Sequence, residues 1–275
     1  MKSKPACQLL TALDDGTQAA ARLLDPAYAV QQKFDGERIL IHVEKHSVTA
    51  YNRDGSITTI SKNILSEAKL FTPLAPLMFD GEWIRKIKSF YSFDLLELDG
   101  TNLRTQTFID RIGLLAELLQ PGTTSLIHAA RTELEETGKI ALLKQIRDSN
   151  LEGIVLKRLA GLYSARREPH DYKHKFTHDA SFIVLRRNQK ASVDLGLYDD
   201  NHNLIEVGSV AVRNSYFDRT VAEGTVLEVR YMHAFRDTNL IYQPRMIKIR
   251  KKNEVKPDDC LLSQLRYKAV NPIAF

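Results

Sequence analysis

A six-residue segment, residues 33–38, combines residue types that could carry out covalent chemistry. Its sequence is Lys-Phe-Asp-Gly-Glu-Arg, and it lies between two apolar runs typical of β-strands. A lysine whose pKa is lowered is a nucleophile, and an arginine can bind an oxygen-rich partner through two parallel hydrogen bonds. A glycine lets the backbone turn and approach a ligand closely. The segment alone would fit an exposed hairpin with solvated charges equally well, so its interpretation depends on the rest of the chain.

Three acidic residues each lie next to a glycine near the end of a predicted strand: Asp35, Glu82 and Glu152. Carboxylates suit magnesium ions or the hydroxyl groups of a ribose, and the adjacent glycines leave room for a ligand. For each acid taken alone, an exposed position in a turn is the alternative. Together the three indicate a nucleotide-type site.

Two lysines, Lys173 and Lys175, are separated by one residue in a strand-like segment. Residues at positions i and i+2 of a strand point to the same face, so the two side chains would point together. Two ammonium groups on one face repel each other, and a polyphosphate between them would explain the pair. The alternative is an edge strand protected by lysines. Phe93, between two polar residues on another strand, is expected either in the core or stacked on a base.

These residues fall within a predicted α+β fold. The expected strands cover residues 29–60, with a turn at 52–55, residues 90–98 and residues 150–157. The expected helices cover residues 64–70, with Ser61 as N-cap, residues 108–119 and about 133–147. Beyond Phe176 the chain alternates apolar and polar residues with intervening glycines, which is typical of a small β-barrel. We therefore expect a domain boundary near His178.

The composition restricts the class of protein. The chain has 275 residues, 43% of them hydrophobic and 27% charged, with a net charge of +5. No stretch approaches the ~20 apolar residues of a membrane helix. Cys7 and Cys260 are expected as free thiols in the cytoplasm. Basic residues cluster in four patches, Arg166 with Arg167, Lys173 with Lys175, Arg186 with Arg187 and Lys190, and residues 248–252. Such patches favour a nucleic-acid phosphate backbone as partner.

In their order along the chain, these segments resemble the motifs of the covalent nucleotidyltransferase superfamily, specifically of ATP-dependent DNA ligases. The resembling segments are residues 33–38, 79–82, 91–94, 151–157, 173–175 and 244–250. The resemblance implies an adenylation domain at residues 1–177, ATP-grasp-like, with antiparallel sheets and flanking helices. It implies a small all-β OB-fold barrel at residues 178–275.

The resemblance also implies a role for each candidate residue. Lys33 would be the nucleophile that carries AMP, and Lys173 and Lys175 would assist it electrostatically. Glu82 would bind the ribose and, with Glu152, a magnesium ion, with Mn²⁺ tolerated in its place. The implied ATP contacts are Phe93 stacked on adenine, Gln31 on its amino group, and Arg38 and Arg53 on ribose or nick phosphate. Arg250 would orient pyrophosphate, although Lys251, Lys252 and Asn253 replace the expected acidic residues after it, which leaves Arg245 and Lys248 as equal candidates.

The implied function is a cytoplasmic, monomeric, ATP-dependent DNA ligase. It would seal a nick with a 5′-phosphate and a 3′-hydroxyl in duplex DNA, through a lysyl-AMP intermediate and an adenylated DNA end. DNA repair and DNA replication both remain open as its role. An RNA ligase or a GTP-dependent capping guanylyltransferase shares the lysine motif. A nucleic-acid-binding OB protein with an inactive adenylation domain is the alternative outside the enzymes.

Overall fold

The protein is a mixed α+β chain with antiparallel sheets and few helices, as the sequence predicted. A computed structural model describes residues 5–212, 221–251 and 253–268, so Lys252 of the last basic patch lies outside the described residues. The described residues up to Lys175 form one compact unit, and those from Phe176 onward form a second. This division lies close to the boundary predicted near His178.

The first unit contains eleven strands and four α-helices among its described residues. Its strands are β1 (Leu9–Ala12), β2 (Tyr28–Lys33), β3 (Glu37–Val43), β4 (Val48–Asn52), β5 (Leu77–Ile84), β6 (Ser89–Leu98), β7 (Thr101–Asn102), β8 (Ile127–Ala129), β9 (Thr132–Glu133), β10 (Gly153–Arg158) and β11 (Arg167–Lys175). Its helices are α1 (Gly16–Leu24), α2 (Lys62–Ala68), α3 (Phe108–Leu118) and α4 (Glu136–Asp148).

The strands of the first unit form two sheets. One sheet has the order β1–β11–β10–β2–β9, and the other has the order β4–β3–β5–β6–β7, with β8 paired to β6. The chain leaves the first sheet at Lys33 and enters the second at Glu37, so only residues 34–36 connect the two. The lysine motif therefore lies at the junction of the two sheets.

Glycines at this junction allow protein backbones to come close together. A Cβ atom added to Gly36 would lie 2.5 Å from the carbonyl oxygen of Trp83. Gly153 has a φ of +149°, and a Cβ atom there would collide with the carbonyl oxygen of His174 in β11. Only glycine fits such positions without displacing the neighbouring chain. The predicted role of these glycines in ligand approach is thus accompanied by a structural one.

The main core of the first unit lies against the second sheet. Helix α3 buries Phe108, Ile112 and Leu115 on one face, at the spacing expected for an amphipathic helix. Full burial of such a side chain stabilises the fold by about 1.5–3 kcal/mol. The Thr107 side chain caps the helix by accepting a hydrogen bond from the Asp110 amide. Ser61 occupies the N-cap position of α2, as predicted, but its side chain makes no capping hydrogen bond.

A buried ion pair joins α3 to β6. Arg111 has no exposed surface, and its Nε and Nη2 atoms lie 2.7 and 2.9 Å from the two carboxylate oxygens of Asp94. Arg111 also donates to the Gln106 carbonyl oxygen at 2.7 Å. The pair compensates charges that burial alone would make very unfavourable.

The second unit is an antiparallel five-stranded sheet. Its strands are β12 (His178–Arg187), β13 (Ser192–Tyr198), β14 (Leu204–Ala211), β15 (Val226–Tyr231) and β16 (Arg245–Ile249). They are arranged in the order β14–β13–β12–β15–β16. Alternate residues of these strands supply a separate apolar core that includes Phe182, Leu195, Val207 and Val229.

Two further features concern the described residues as a whole. None of their helices is both long enough and apolar enough to cross a membrane. Cys7 and Cys260 are free and buried. Burial raises the pKa of each thiol to about 11, so both stay protonated at neutral pH.

Candidate active site

Glu152 holds two of the candidate lysines together. Its Oε2 atom lies 2.7 Å from the Lys33 Nζ atom, and its Oε1 atom lies 2.9 Å from the Lys175 Nζ atom. The sheet register explains this arrangement, because Gly153 of β10 pairs with Lys33 of β2 on one side and with Lys175 of β11 on the other. Paired residues of adjacent strands share a face. The carboxylate that precedes Gly153 thus bridges both amines.

Lys173 lies on the same face, one row further along the sheet. It pairs with Val155 of β10, which pairs in turn with Gln31 of β2. The pKa of Lys173 is lowered, first by burial and then by the positive charges of Lys33 and Lys175. Three lysines therefore share this face with one bridging carboxylate, which leaves positive charge available for an anionic ligand.

Glu82 reaches the same region from the second sheet. It accepts a hydrogen bond from the Gly36 amide, with 3.2 Å between Oε1 and N. Burial raises the pKa of Glu82 to about 7 against the opposing attraction of Lys33 and Arg38, and repulsion from Glu152 adds to the increase. At neutral pH this carboxyl group is thus divided between its neutral and ionised forms.

Arg38 is held by a buried carboxylate. Its Nε and Nη2 atoms lie 2.9 and 2.6 Å from the two oxygens of Asp80, and its Nη1 atom donates to the Gln8 carbonyl oxygen at 2.7 Å. Tyr163 donates to the same Asp80 at 2.7 Å. The guanidinium carbon lies 5.2 Å from the centre of the Phe93 ring, which is half-buried. Arg38 therefore links Asp80 to the aromatic ring that the sequence predicts as the adenine contact.

The remaining candidate residues make contacts of their own. Gln31, on the Lys33 face of β2, donates its amide hydrogens to the Phe93 carbonyl oxygen and the Thr132 hydroxyl. Arg53 is exposed in the turn after β4. Arg250 belongs to the second unit, where its guanidinium lies 3.3 Å from Glu228.

The donor set fits a magnesium ion that is shared with a phosphate ligand. Within the described part of the chain, no group of three or more His, Cys, Asp or Glu side chains could hold a metal. Magnesium ions are commonly held by one or two carboxylates together with substrate phosphates and waters. Glu152 and Glu82 could supply those carboxylates, and the three lysines carry the charge opposite to that of phosphate groups.

Sequence reasoning missed the residues that hold the candidates in place. Asp80 lies in the acid–glycine motif beside Glu82, so its proximity to the site was detectable, but its pairing with Arg38 was not. Thr132 gave no local signal, because it contacts Gln31 across 101 positions of the chain. Such contacts depend on the fold and not on a short motif.

Comparisons with known proteins show which sequences and folds this chain resembles. Residues 83–175 match the family model described as "ATP dependent DNA ligase domain". The matched segment contains Phe93, Glu152, Lys173 and Lys175 and begins one residue after Glu82. A search of curated protein sequences finds no match.

Solved structures show the same fold. The structure named Pmar-Lig_PreS3 is 16% identical, with a TM-score of 0.69 over 89% of this chain and 67% of its own. A Lig E DNA ligase, described as "DNA binding with a minimal scaffold", is 17% identical, with a TM-score of 0.61 over 90% of this chain and 100% of its own. Mycobacterial DNA ligase D, complexed with ATP and MES, is 19% identical, with a TM-score of 0.52 over 93% of this chain and 97% of its own.

Residues 83–175 are thus similar to an ATP-dependent DNA ligase domain, and the chain shares the fold of solved DNA ligases. The family match and the structural matches confirm the resemblance to ATP-dependent DNA ligases and support a ligase enzyme.

Proposed function

We propose that the protein is an ATP-dependent DNA ligase that seals nicks through a covalent lysyl-AMP intermediate. The observation that carries this proposal is the bridge from Glu152 to Lys33 and Lys175, with Lys173 on the same sheet face. An ordinary ion pair would need only one lysine. Two amines on one carboxylate, with a third amine on the same sheet face, suit a site that must bind a polyphosphate and supply an amine nucleophile.

In the first step the Lys33 amine attacks the α-phosphorus of ATP. The new N–P bond forms as the bond to pyrophosphate breaks. The attacking nitrogen, which becomes positively charged when the bond forms, then releases one proton to solvent. The ammonium groups of Lys173 and Lys175, on the same sheet face, would stabilise the negative charge on the phosphate oxygens during this step.

Glu152 and Glu82 would hold a magnesium ion in this site. Such an ion neutralises charge on the phosphates and polarises the reacting phosphoryl group. Glu152 has a second function that this chain supplies by itself, because its ion pair with Lys33 fixes the position of the nucleophile. Mycobacterial DNA ligase D, which has the same fold, is described as a complex with ATP, which supports ATP as the nucleotide.

The later steps require DNA with a 5′-phosphate beside a 3′-hydroxyl. AMP moves from Lys33 to the 5′-phosphate, and attack by the 3′-hydroxyl then releases AMP and closes the strand. The exposed Arg53 and the partly exposed edge of Arg38 are available for phosphate contacts. Lig E is described in terms of "DNA binding with a minimal scaffold", which supports DNA as the partner of a short ligase.

The second unit would be an OB-fold barrel that contacts this DNA. Its first strand, β12, pairs with the second and the fourth strands, and the edge strands β14 and β16 lie beside each other. This order fits a five-stranded Greek-key barrel, and the loop after the first strand is a common nucleic-acid contact in OB-folds. That loop carries the exposed Lys190 between β12 and β13.

Two assays test the proposal. Incubation with ATP labelled at the α-phosphate should attach label to the wild-type protein and not to Lys33→Ala. Lys45→Ala, which removes an exposed lysine of the same charge, should label normally. A duplex with one 5′-phosphorylated nick should then be sealed in the presence of ATP and magnesium, with the product resolved on a denaturing gel.

The outcomes separate the alternatives. Sealing only where RNA supplies the 3′-hydroxyl strand would identify an RNA ligase. Label from GTP and none from ATP would identify a capping guanylyltransferase. Covalent label on Lys33→Ala would show that the nucleophile is another residue. Nucleic-acid binding without any covalent label would favour an inactive adenylation domain.

A further inference from the structure

The orientation of the Gln31 side-chain amide is determined by two neighbours that can only accept hydrogen bonds. The Nε2 atom lies 3.2 Å from the Phe93 carbonyl oxygen and 2.9 Å from the Thr132 hydroxyl oxygen. A carbonyl oxygen has no proton to donate. The amide must therefore direct its nitrogen, and not its oxygen, towards Phe93.

Thr132 imposes the same orientation because its own proton is already used. The Thr132 hydroxyl donates to the Ala130 carbonyl oxygen at 3.0 Å. Its oxygen can then only accept from Gln31. A hydroxyl whose proton was free could serve either end of the amide. The chain of donors from Gln31 through Thr132 to Ala130 removes that freedom.

The amide oxygen of Gln31 is the part left for a ligand. The side chain is almost entirely buried, with 2% of the residue exposed. Within the described residues the Gln31 Oε1 atom accepts no hydrogen bond, but it is not completely buried. The Oε1 atom of Gln32, in contrast, is completely buried and has no hydrogen-bond partner among these residues. Alternation along β2 places Gln31 on the same face as Lys33.

We propose that Thr132 is a positioning residue that determines base selectivity, by fixing the Gln31 amide so that it presents only an acceptor to the purine. This inference rests on the proposed function and names the base that the site selects. The 6-amino group of adenine donates a hydrogen bond to such an acceptor. The 6-oxo group of guanine or hypoxanthine is itself an acceptor and is repelled.

The test measures selectivity between ATP and ITP, which differ at the 6-position. Covalent labelling of wild-type protein is followed with each nucleotide, and the ratio of the two labelling efficiencies, kcat/KM, is the readout. Wild-type protein should prefer ATP. Thr132→Val has a similar shape but no hydroxyl, so it removes one of the two contacts that hold the Gln31 amide in this orientation, and the preference should fall about tenfold, the value of one hydrogen bond.

Matched variants separate positioning from general damage. Thr132→Ser keeps the hydroxyl and should keep the wild-type ratio. Gln31→Met removes the amide and should lower the ratio, and adding Thr132→Val to it should change the ratio no further, because the two residues act through one contact. A loss of stability alone would lower labelling by both nucleotides and leave the ratio unchanged.

Two results would overturn the inference while leaving the proposed function intact. The first is equal labelling of the wild-type protein by ATP and ITP, which requires no variant to fold. The second is a Thr132→Val protein that labels with the wild-type ratio. If no nucleotide labels the wild-type protein, the proposed function fails and the inference falls with it.

Discussion

Glu82 should make the folded protein less stable as the pH rises towards neutral. Burial raises its pKa from the ordinary 4.5 to about 7, so the folded protein keeps this proton between the two values while the unfolded chain loses it. A raised pKa contributes stability that is complete below the unfolded value and is lost as the pH rises through the folded value. The pH window is therefore from about 4.5 to about 7.

The size of the effect follows from the same two values. Each tenfold change in proton affinity corresponds to about 1.4 kcal/mol, so the change from 4.5 to about 7 corresponds to about 3 kcal/mol. Domains of this size are stable by about 5–15 kcal/mol, so the loss would be readily measured. Glu82→Gln keeps the shape of the side chain and removes its ionisation. The variant should match the wild-type stability near pH 4.5 and exceed it by up to about 3 kcal/mol at pH 8.

Urea unfolding of both proteins at a series of pH values provides the assay. Glu117→Gln, which removes an exposed carboxylate on α3, controls for the general change in net charge. The difference in unfolding free energy between Glu82→Gln and Glu117→Gln should increase as the pH rises from 4.5 to about 7. A difference that stays constant across this range would refute the reasoning, because it would mean that Glu82 titrates alike in the folded and unfolded states.

Three further predictions concern the junction, the core and the metal. Gly153→Ala should lower the free energy of unfolding by about 3 kcal/mol or more, because the added Cβ atom would collide with a backbone carbonyl oxygen and the φ angle is unfavourable for alanine. Gly113→Ala, whose added Cβ atom would have no other atom within 4 Å, should slightly stabilise α3. Thermal unfolding of the two variants provides the comparison. Arg111→Leu should cost about 3–5 kcal/mol by leaving Asp94 buried and unpaired, and adding Asp94→Asn should recover part of that loss in urea unfolding. EDTA should stop AMP transfer to Lys33, and magnesium or manganese should restore it; labelling that persists in EDTA would show that no metal is needed.

Local sequence patterns predicted much of the fold. Helical spacing predicted α3 to within one residue of its end, because its apolar face and its cap lie in one short segment. The alternation rule predicted that Lys173 and Lys175 would share a face, and the sheet has both on the face that carries Lys33. These features depend on residues close together in the chain.

Features that depend on distant residues could not be predicted in this way. The bridge through Glu152 requires β2 and β11 to flank β10, and no local pattern states that order. Ser61 lies at the predicted N-cap position but forms no capping hydrogen bond, because a residue type permits such a bond without requiring it. The raised pKa of Glu82 likewise depends on its burial in the folded chain and on Glu152, 70 positions away.

The short connection between the two sheets limits how far apart the residues of the lysine motif can lie. From Lys33 to Glu37 the backbone can extend by at most about 14 Å, so the first sheet cannot move far from the second without straining this link. One inserted residue would keep every side chain of the motif and still separate the nucleophile from Glu82, which is tied to the Gly36 amide. The fold therefore constrains the number of residues between Lys33 and Glu37 as strictly as their identity. Insertions should be tolerated least in this segment, which carries the proposed nucleophile.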